Sequence, residues 1–176
     1  MMNKQAKDAF QVLIADDSVD DRFLLRAAMR RATRLQIVAE TSDGEETITY
    51  LRKLAGGRNR GEALLPDLLL LDLRMPVRDG FEVLKWLQAQ RLGRLTVVAL
   101  TDSMQPDHIR RALELGADLF QVKPKSHNER VAMVLALEQY LLTASVTGPP
   151  RHLNETSAPR QYAQRPVTQR PVASAP

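Results

Sequence analysis

No cysteine occurs among the 176 residues, which excludes disulfides, thiolate metal sites and a catalytic thiol, and leaves a reducing compartment permitted. Also missing is any uninterrupted apolar stretch approaching the roughly 20 residues of a membrane span. The opening MMNKQAKDAF carries lysines without the apolar core of a signal peptide. The expectation is a soluble, cytoplasmic protein with no membrane partner. Charge of one sign is not concentrated in the body of the chain either. The formal net charge is +4, yet residues 145–176 hold Arg151, Arg160, Arg165 and Arg170 against Glu155, so the remainder is nearly neutral. A folded nucleic-acid-binding domain would gather Lys and Arg on one face. The residues after Leu142 lack an apolar helical pattern, so no helix-turn-helix and no DNA-binding domain is expected there.

What is present is enough apolar sequence, 44% of the residues, for one real core. From residue 11 to 142 short apolar runs alternate with longer stretches of helical period. Residues 12–15 (VLIA), 35–40 (LQIVAE), 68–71 (LLLL), 96–100 (TVVAL) and 119–122 (LFQV) have strand length and composition. Helical patterns cover about 20–31, 44–54, 80–90, 106–115 and 128–142, with Ile109, Ala112 and Leu113 marking one buried face of the fourth. Five βα units with buried strands imply a parallel sheet covered by helices on both sides. The domain reading is an N-terminal extension (1–10), a folded unit (11–144) and a disordered Pro/Arg/Gln-rich tail (145–176) in which QRPV occurs twice. The Gly/Arg-rich connection 55–66 reads as a mobile surface loop.

Sheets of this kind bind ligands beyond the carboxyl ends of their strands. Asp16 and Asp17 follow the first run, Asp72 the third, Thr101 and Asp102 the fourth, and Lys123 the fifth. Three carboxylates at one edge repel one another unless a cation sits among them, and Mg²⁺, which takes oxygen ligands, suits them. A carboxylate there can also be a nucleophile toward phosphorus, with Lys123 and Thr101 placed to stabilise developing charge. Each piece alone has a plainer reading. Asp16, Asp17 and Ser18 can cap a helix, Asp72 can be a loop acid, Thr101 and Asp102 can cap the next helix, and Lys123-Pro124 can be a bare loop. The order of all four placements is what favours a site.

At these residues the sequence resembles the receiver domains of bacterial two-component response regulators, of the single-domain chemotaxis-regulator type. The resemblance implies a flavodoxin-like (βα)5 doubly wound parallel sheet with strand order 2-1-3-4-5. It also implies phosphoryl transfer to Asp72 from a sensor histidine kinase or phosphotransfer protein, with Mg²⁺ as cofactor. Asp16, Asp17, Asp72 and the backbone carbonyl of Arg74 would hold the metal, Asp17 the most directly. Thr101 and Lys123 would assist the transfer, Thr101 and Phe120 would form the switch, and Lys123-Pro124 would be a cis peptide. Such a protein catalyses only its own phosphorylation and dephosphorylation and signals by protein contact, as a stand-alone regulator similar to those that partner phytochrome-like kinases. Two rival readings stay open. One is a receiver-like binding module that is not phosphorylated. The other is an Asp-nucleophile Mg²⁺ phosphatase, which needs a second acid where Arg74 stands. The last helix carries Val131, Met133, Val134, Leu135, Leu137, Tyr140, Leu141 and Leu142, more apolar positions than one face requires. The surplus admits a downstream partner or a homodimer through the fourth helix, fifth strand and fifth helix, or simple cover by the tail. Arg74 and Asp102 are both placed at the mouth of the site, where they could pair.

Overall fold

A computed structural model of the protein describes residues 8–56, 65–90, 92, 95–102 and 104–147. The readings made for the connection 57–64, for the first seven residues and for the tail from 148 onward lie outside these residues. Each expected strand and helix is found. They follow in the order β1 (Phe10–Ala15), α1 (Val19–Met29), β2 (Leu35–Thr41), α2 (Gly44–Ala55), β3 (Leu68–Asp72), α3 (Gly80–Gln90), β4 (Thr96–Thr101), α4 (Pro106–Glu114), β5 (Leu119–Val122) and α5 (His127–Thr147). The five strands form one parallel sheet in the order β2-β1-β3-β4-β5. This is the flavodoxin-like (βα)5 sheet that the resemblance implied.

Why the runs become strands is visible in their burial. All five residues of central β3 are buried, whereas edge strand β2 exposes every second residue early on. A strand covered on both faces must be apolar throughout, and one at the edge need not be. Successive side chains then divide between two cores. Leu69 and Leu71 pack with Ile48, Leu51, Val83, Leu84 and Ala112 from α2, α3 and α4. Leu68 and Leu70 pack with Leu25 and Met29 from α1 and with Met133, Val134 and Leu137 from α5. Truncating any of these fully buried leucines to alanine costs about 2–5 kcal/mol.

Strand parity also aims the polar ends. Asp16 continues the Val12, Ile14 row and Asp72 the Leu68, Leu70 row, so both carboxylates face the α1/α5 side of the sheet. Thr101 continues the Val97, Ala99 row toward the other side. The chain leaves β3 by a tight passage. Gly80 N–H donates to the Leu73 carbonyl at 3.2 Å, and a Cβ at Gly80 would lie 2.3 Å from the Asp72 carbonyl oxygen. Only glycine lets α3 start this close to the strand end. Between them, Arg78 N–H donates to the Pro76 carbonyl at 2.7 Å around Val77, whose φ is 63°. That three-residue turn holds a β-branched residue in the left-handed region, at a cost of about 1–2 kcal/mol. Arg78 in turn accepts from Gly44 N–H at 3.1 Å and pairs through its side chain with Glu45, which fastens the loop to the start of α2.

Three expectations need correction. Leu113 is 41% exposed, so the buried stripe of α4 is Ile109 and Ala112 without it. The Lys123–Pro124 peptide is trans, since no described bond is cis. The trans form is the preferred one for X-Pro by about 0.5–1 kcal/mol, and it still lets Lys123 N–H reach the Thr101 carbonyl at 2.7 Å. Finally, α5 runs on to Thr147, and its apolar surplus is largely spent inside the fold. Met133, Val134, Leu137 and Leu141 are buried and Val131, Tyr140 and Leu142 pack beside them, because α5 faces α1 as well as the sheet. Leu135 is the member left outside, at 38% exposure.

Candidate functional site

Asp16 immediately follows β1, fully buried, with its own N–H donating to the Thr41 carbonyl at 3.1 Å. Its Oδ1 accepts from Ser18 N–H at 2.9 Å, and its carbonyl accepts from the Arg22 guanidinium. Ser18 caps α1 by accepting from Asp21 N–H at 3.1 Å. The capping and the site readings therefore coexist, since the turn that caps α1 also fixes the Asp16 carboxylate. Asp17 is exposed beside it. Asp72, the last residue of β3 and 2% exposed, turns Oδ1 to Arg74 N–H at 2.9 Å.

The two buried acids meet at one cation. Lys123 Nζ lies 2.7 Å from Asp72 Oδ2 and 2.9 Å from Asp16 Oδ2, with its side chain 9% exposed. The Asp72 contact is a hydrogen bond. The Asp16 contact is an ion pair without hydrogen-bond alignment, so Asp16 Oδ2 is a buried oxygen with no hydrogen-bond partner. Burial pushes the Asp16 carboxyl above the usual carboxylate range against the pull of Lys123. It does the same to Asp72 against the Arg74 N–H and Lys123. For Lys123 burial acts to lower the pKa, but the hydrogen bond to Asp72 and the charges of Asp72 and Asp16 overcome it and raise the ammonium well above its ordinary value. The acids are raised by burial, while the ammonium is raised by the two carboxylates that share it.

A metal fits that arrangement. Asp16, Asp17 and Asp72 each offer a carboxylate oxygen, all within 4.8 Å of one another. With no nitrogen or sulfur donor in the set, and with Asp16 Oδ2 held by its ion pair to Lys123 but by no hydrogen bond, the site suits a hard divalent cation such as Mg²⁺ or Mn²⁺. Thr101 is 2% exposed at the end of β4. In the sheet it pairs with Val122, and Ala99 with Phe120, so Phe120 is half-buried on β5 next to the strand that carries the hydroxyl. At the mouth, Arg74 Nη2 and Asp102 Oδ2 are 2.9 Å apart in the pair that their placement suggested.

Two members of the network escaped sequence reasoning. Asp21 Oδ2 is 3.3 Å from Lys123 Nζ, and Asp21 Oδ1 accepts from Arg130 Nη2 at 2.7 Å. Asp21 reads as an ordinary acid in the first turn of a helix, and Arg130 as the solvated start of another. The signal available was periodicity. Arg130 precedes Met133, Val134 and Leu137 at the spacing of their own buried stripe, which puts a charge on an apolar face.

Comparison with known proteins agrees with this geometry. The model of the response regulator receiver domain family matches residues 12–135. The probable methanogenesis regulatory protein FilR2 of Methanothrix harundinacea is 32% identical over 139 residues, covering 78% of this chain and 87% of that one. Among solved structures, the phosphorylated cyanobacterial phytochrome response regulator RcpA aligns with a TM-score of 0.66 at 28% identity, over 77% of this chain and 96% of its own. The Mn²⁺-bound form of response regulator Rcp1 aligns with a TM-score of 0.63 at 27% identity, over 76% and 94%.

Proposed function

The chain belongs to the response regulator receiver domain family, and from that premise we propose that it accepts a phosphoryl group on Asp72 from a phosphohistidine of a sensor kinase or phosphotransfer protein. The observation that carries this reading is the Asp72 carboxylate at the end of a buried strand, 2.7 Å from Lys123 and grouped with Asp16 and Asp17. RcpA in its phosphorylated form and Rcp1 with bound Mn²⁺ share the fold and support it.

In the transfer, an oxygen of Asp72 forms the new bond to phosphorus as the N–P bond of the phosphohistidine breaks, and the bonding pair stays on the imidazole nitrogen. Asp16, Asp17, Asp72 and the Arg74 carbonyl would hold Mg²⁺, whose chemistry here is to neutralise charge between the carboxylates and the incoming phosphoryl oxygens. Arg74 N–H holds one Asp72 oxygen and so orients the other. Lys123, already on Asp72, needs only a small shift to follow the negative charge onto the phosphoryl group. Thr101 is the hydroxyl that registers the new group, and Phe120 the aromatic whose packing responds.

The described elements make up one receiver, and no described helix is long and apolar enough to cross a membrane. Signalling by surface contact with a downstream protein, in the cytoplasm where the kinase's phosphohistidine is available, is part of the same proposal. Activity toward other substrates is not part of this reading, because the position two residues past Asp72 holds Arg74, whose side chain is engaged with Asp102, and not an acid. Incubation with acetyl phosphate and Mg²⁺ tests the proposal. The protein should take up one phosphoryl group, and chelation of the divalent ion should suppress uptake. Uptake unaffected by chelation would overturn the metal dependence, and no uptake from any small donor or phosphohistidine protein would overturn the function.

A further inference from the structure

Lys123 is held by more than its two strand-end acids. An ammonium has three N–H donors, and here three carboxylates surround it, Asp72 at 2.7 Å, Asp16 at 2.9 Å and Asp21 at 3.3 Å. The first two belong to the pocket described above. The third arrives from the first turn of α1, and its other oxygen is taken by Arg130 at 2.7 Å, from the first turn of α5. The Arg130 side chain is 8% exposed, an expensive place for a guanidinium unless it is paired.

We propose that Asp21 and Arg130 are a positioning pair for the phosphoryl transfer proposed above, holding the Lys123 ammonium on the acceptor so that the seating of α5 on α1 sets the reactivity of Asp72. The chain of contacts is continuous: Arg130 to Asp21, Asp21 to Lys123, Lys123 to Asp72. A simple tie between the two helices would need Asp21 and Arg130 alone. It would not need the second Asp21 oxygen to be spent on the lysine that serves the acceptor. Beside the pair, Leu25, Leu100, Pro124 and Met133 line a small cleft, so the ion chain is bounded by apolar walls where charge interactions are strengthened. Arg130 keeps Asp21 fixed, and Asp21 keeps one face of the ammonium occupied. Without Asp21, Lys123 loses one of its three anchors. Without Arg130, an uncompensated Asp21 competes with Asp72 for the same ammonium. By reciprocity, displacement of Lys123 toward a phosphoryl group weakens its hold on Asp21 and is felt at α5. The inference rests on the phosphoacceptor reading of Asp72 and is tested apart from it.

The experiment is a double-mutant cycle on acetyl phosphate labelling in Mg²⁺, using Asp21→Asn, Arg130→Met, the double variant and Arg130→Lys. Rates are taken per folded molecule across a range of donor concentrations. Each single variant should lower the maximal rate roughly tenfold with little change in the half-saturating donor concentration. The double variant should be no slower than the slower single, because the residues act as one unit, and Arg130→Lys should recover most of the rate. A merely structural pair would lower the unfolding midpoint and leave the rate per folded molecule within about twofold of wild type. That result, or additive losses in the double variant, would overturn the proposal. Asp72→Asn runs alongside. If it still labels, the acceptor reading itself has failed. If wild type labels at Asp72 and the four variants match it, only the positioning role has failed.

Discussion

Two ion pairs stand at the carboxyl edge of the sheet at nearly the same separation, and their surroundings make them different devices. Lys123 and Asp72 are 2.7 Å apart with side chains 9% and 3% exposed. Arg74 and Asp102 are 2.9 Å apart at 61% and 53% exposure. In water a pair at such distance gains about 1 kcal/mol of Coulomb energy and is screened by salt; behind the sheet the same charges interact several times more strongly and must also be desolvated. The lesson is that distance alone does not rank these contacts. The buried pair sets the state of the site, and the exposed pair can at most tune access to it.

Removing the buried cation is the sharpest way to break that contrast. Lys123→Met leaves Asp16 and Asp72 together without their ammonium, and in chelator at neutral pH urea unfolding should show a loss of about 3–5 kcal/mol. A loss below about 1 kcal/mol would mean that the buried pair behaves like a surface one.

The acids should answer in the opposite sense. Burial raises the Asp72 carboxyl in the folded state, against the pull of the Arg74 N–H and Lys123. The folded protein therefore binds that proton more tightly than the unfolded chain does. The ionised form costs stability at neutral pH, and the cost fades as pH falls through the folded-state value. In chelator, Asp72→Asn should thus be more stable than wild type at pH 7, with the gap closing toward acid. A gap that widens on acidification would reverse the assignment.

At the mouth the effects should be small and kinetic. Asp102→Ala and Arg74→Ala should each change stability by less than about 0.5 kcal/mol. Yet Asp102→Ala should speed labelling by small anionic donors several-fold at low salt, on the order of what a fraction of a kcal/mol to 1 kcal/mol allows. Arg74→Ala should alter the decay of the labelled form. Stopped-flow labelling at two ionic strengths measures both, and identical rates at both salts would leave this pair without a gating role.

The same contrast explains what the sequence could and could not reveal. Asp16, Asp72 and Lys123 were legible because each ends an apolar run, and a charge there stands out against its neighbours. Arg74 and Asp102 were legible because the sheet edge brings both to one opening. Asp21 and Arg130 were not, since their pairing joins residues 109 apart in sequence and helical periodicity names a face without naming what lies opposite. The fate of α5 follows the same rule. Its apolar surplus pointed outward only so long as α1 was not seen beside it, and Leu113 pointed inward only so long as α4 was taken to pack on the residues of one wide face.

Phosphorylation at Asp72 is the step on which every other proposed role depends. After labelling with acetyl phosphate and Mg²⁺, borohydride reduces an acyl phosphate to the alcohol, which converts the modified aspartate to homoserine and marks its position in a peptide map. A single residue should be converted, at position 72, with no conversion in Asp72→Asn. Conversion at another acid, or labelling that persists in Asp72→Asn at wild-type stoichiometry, would contradict it.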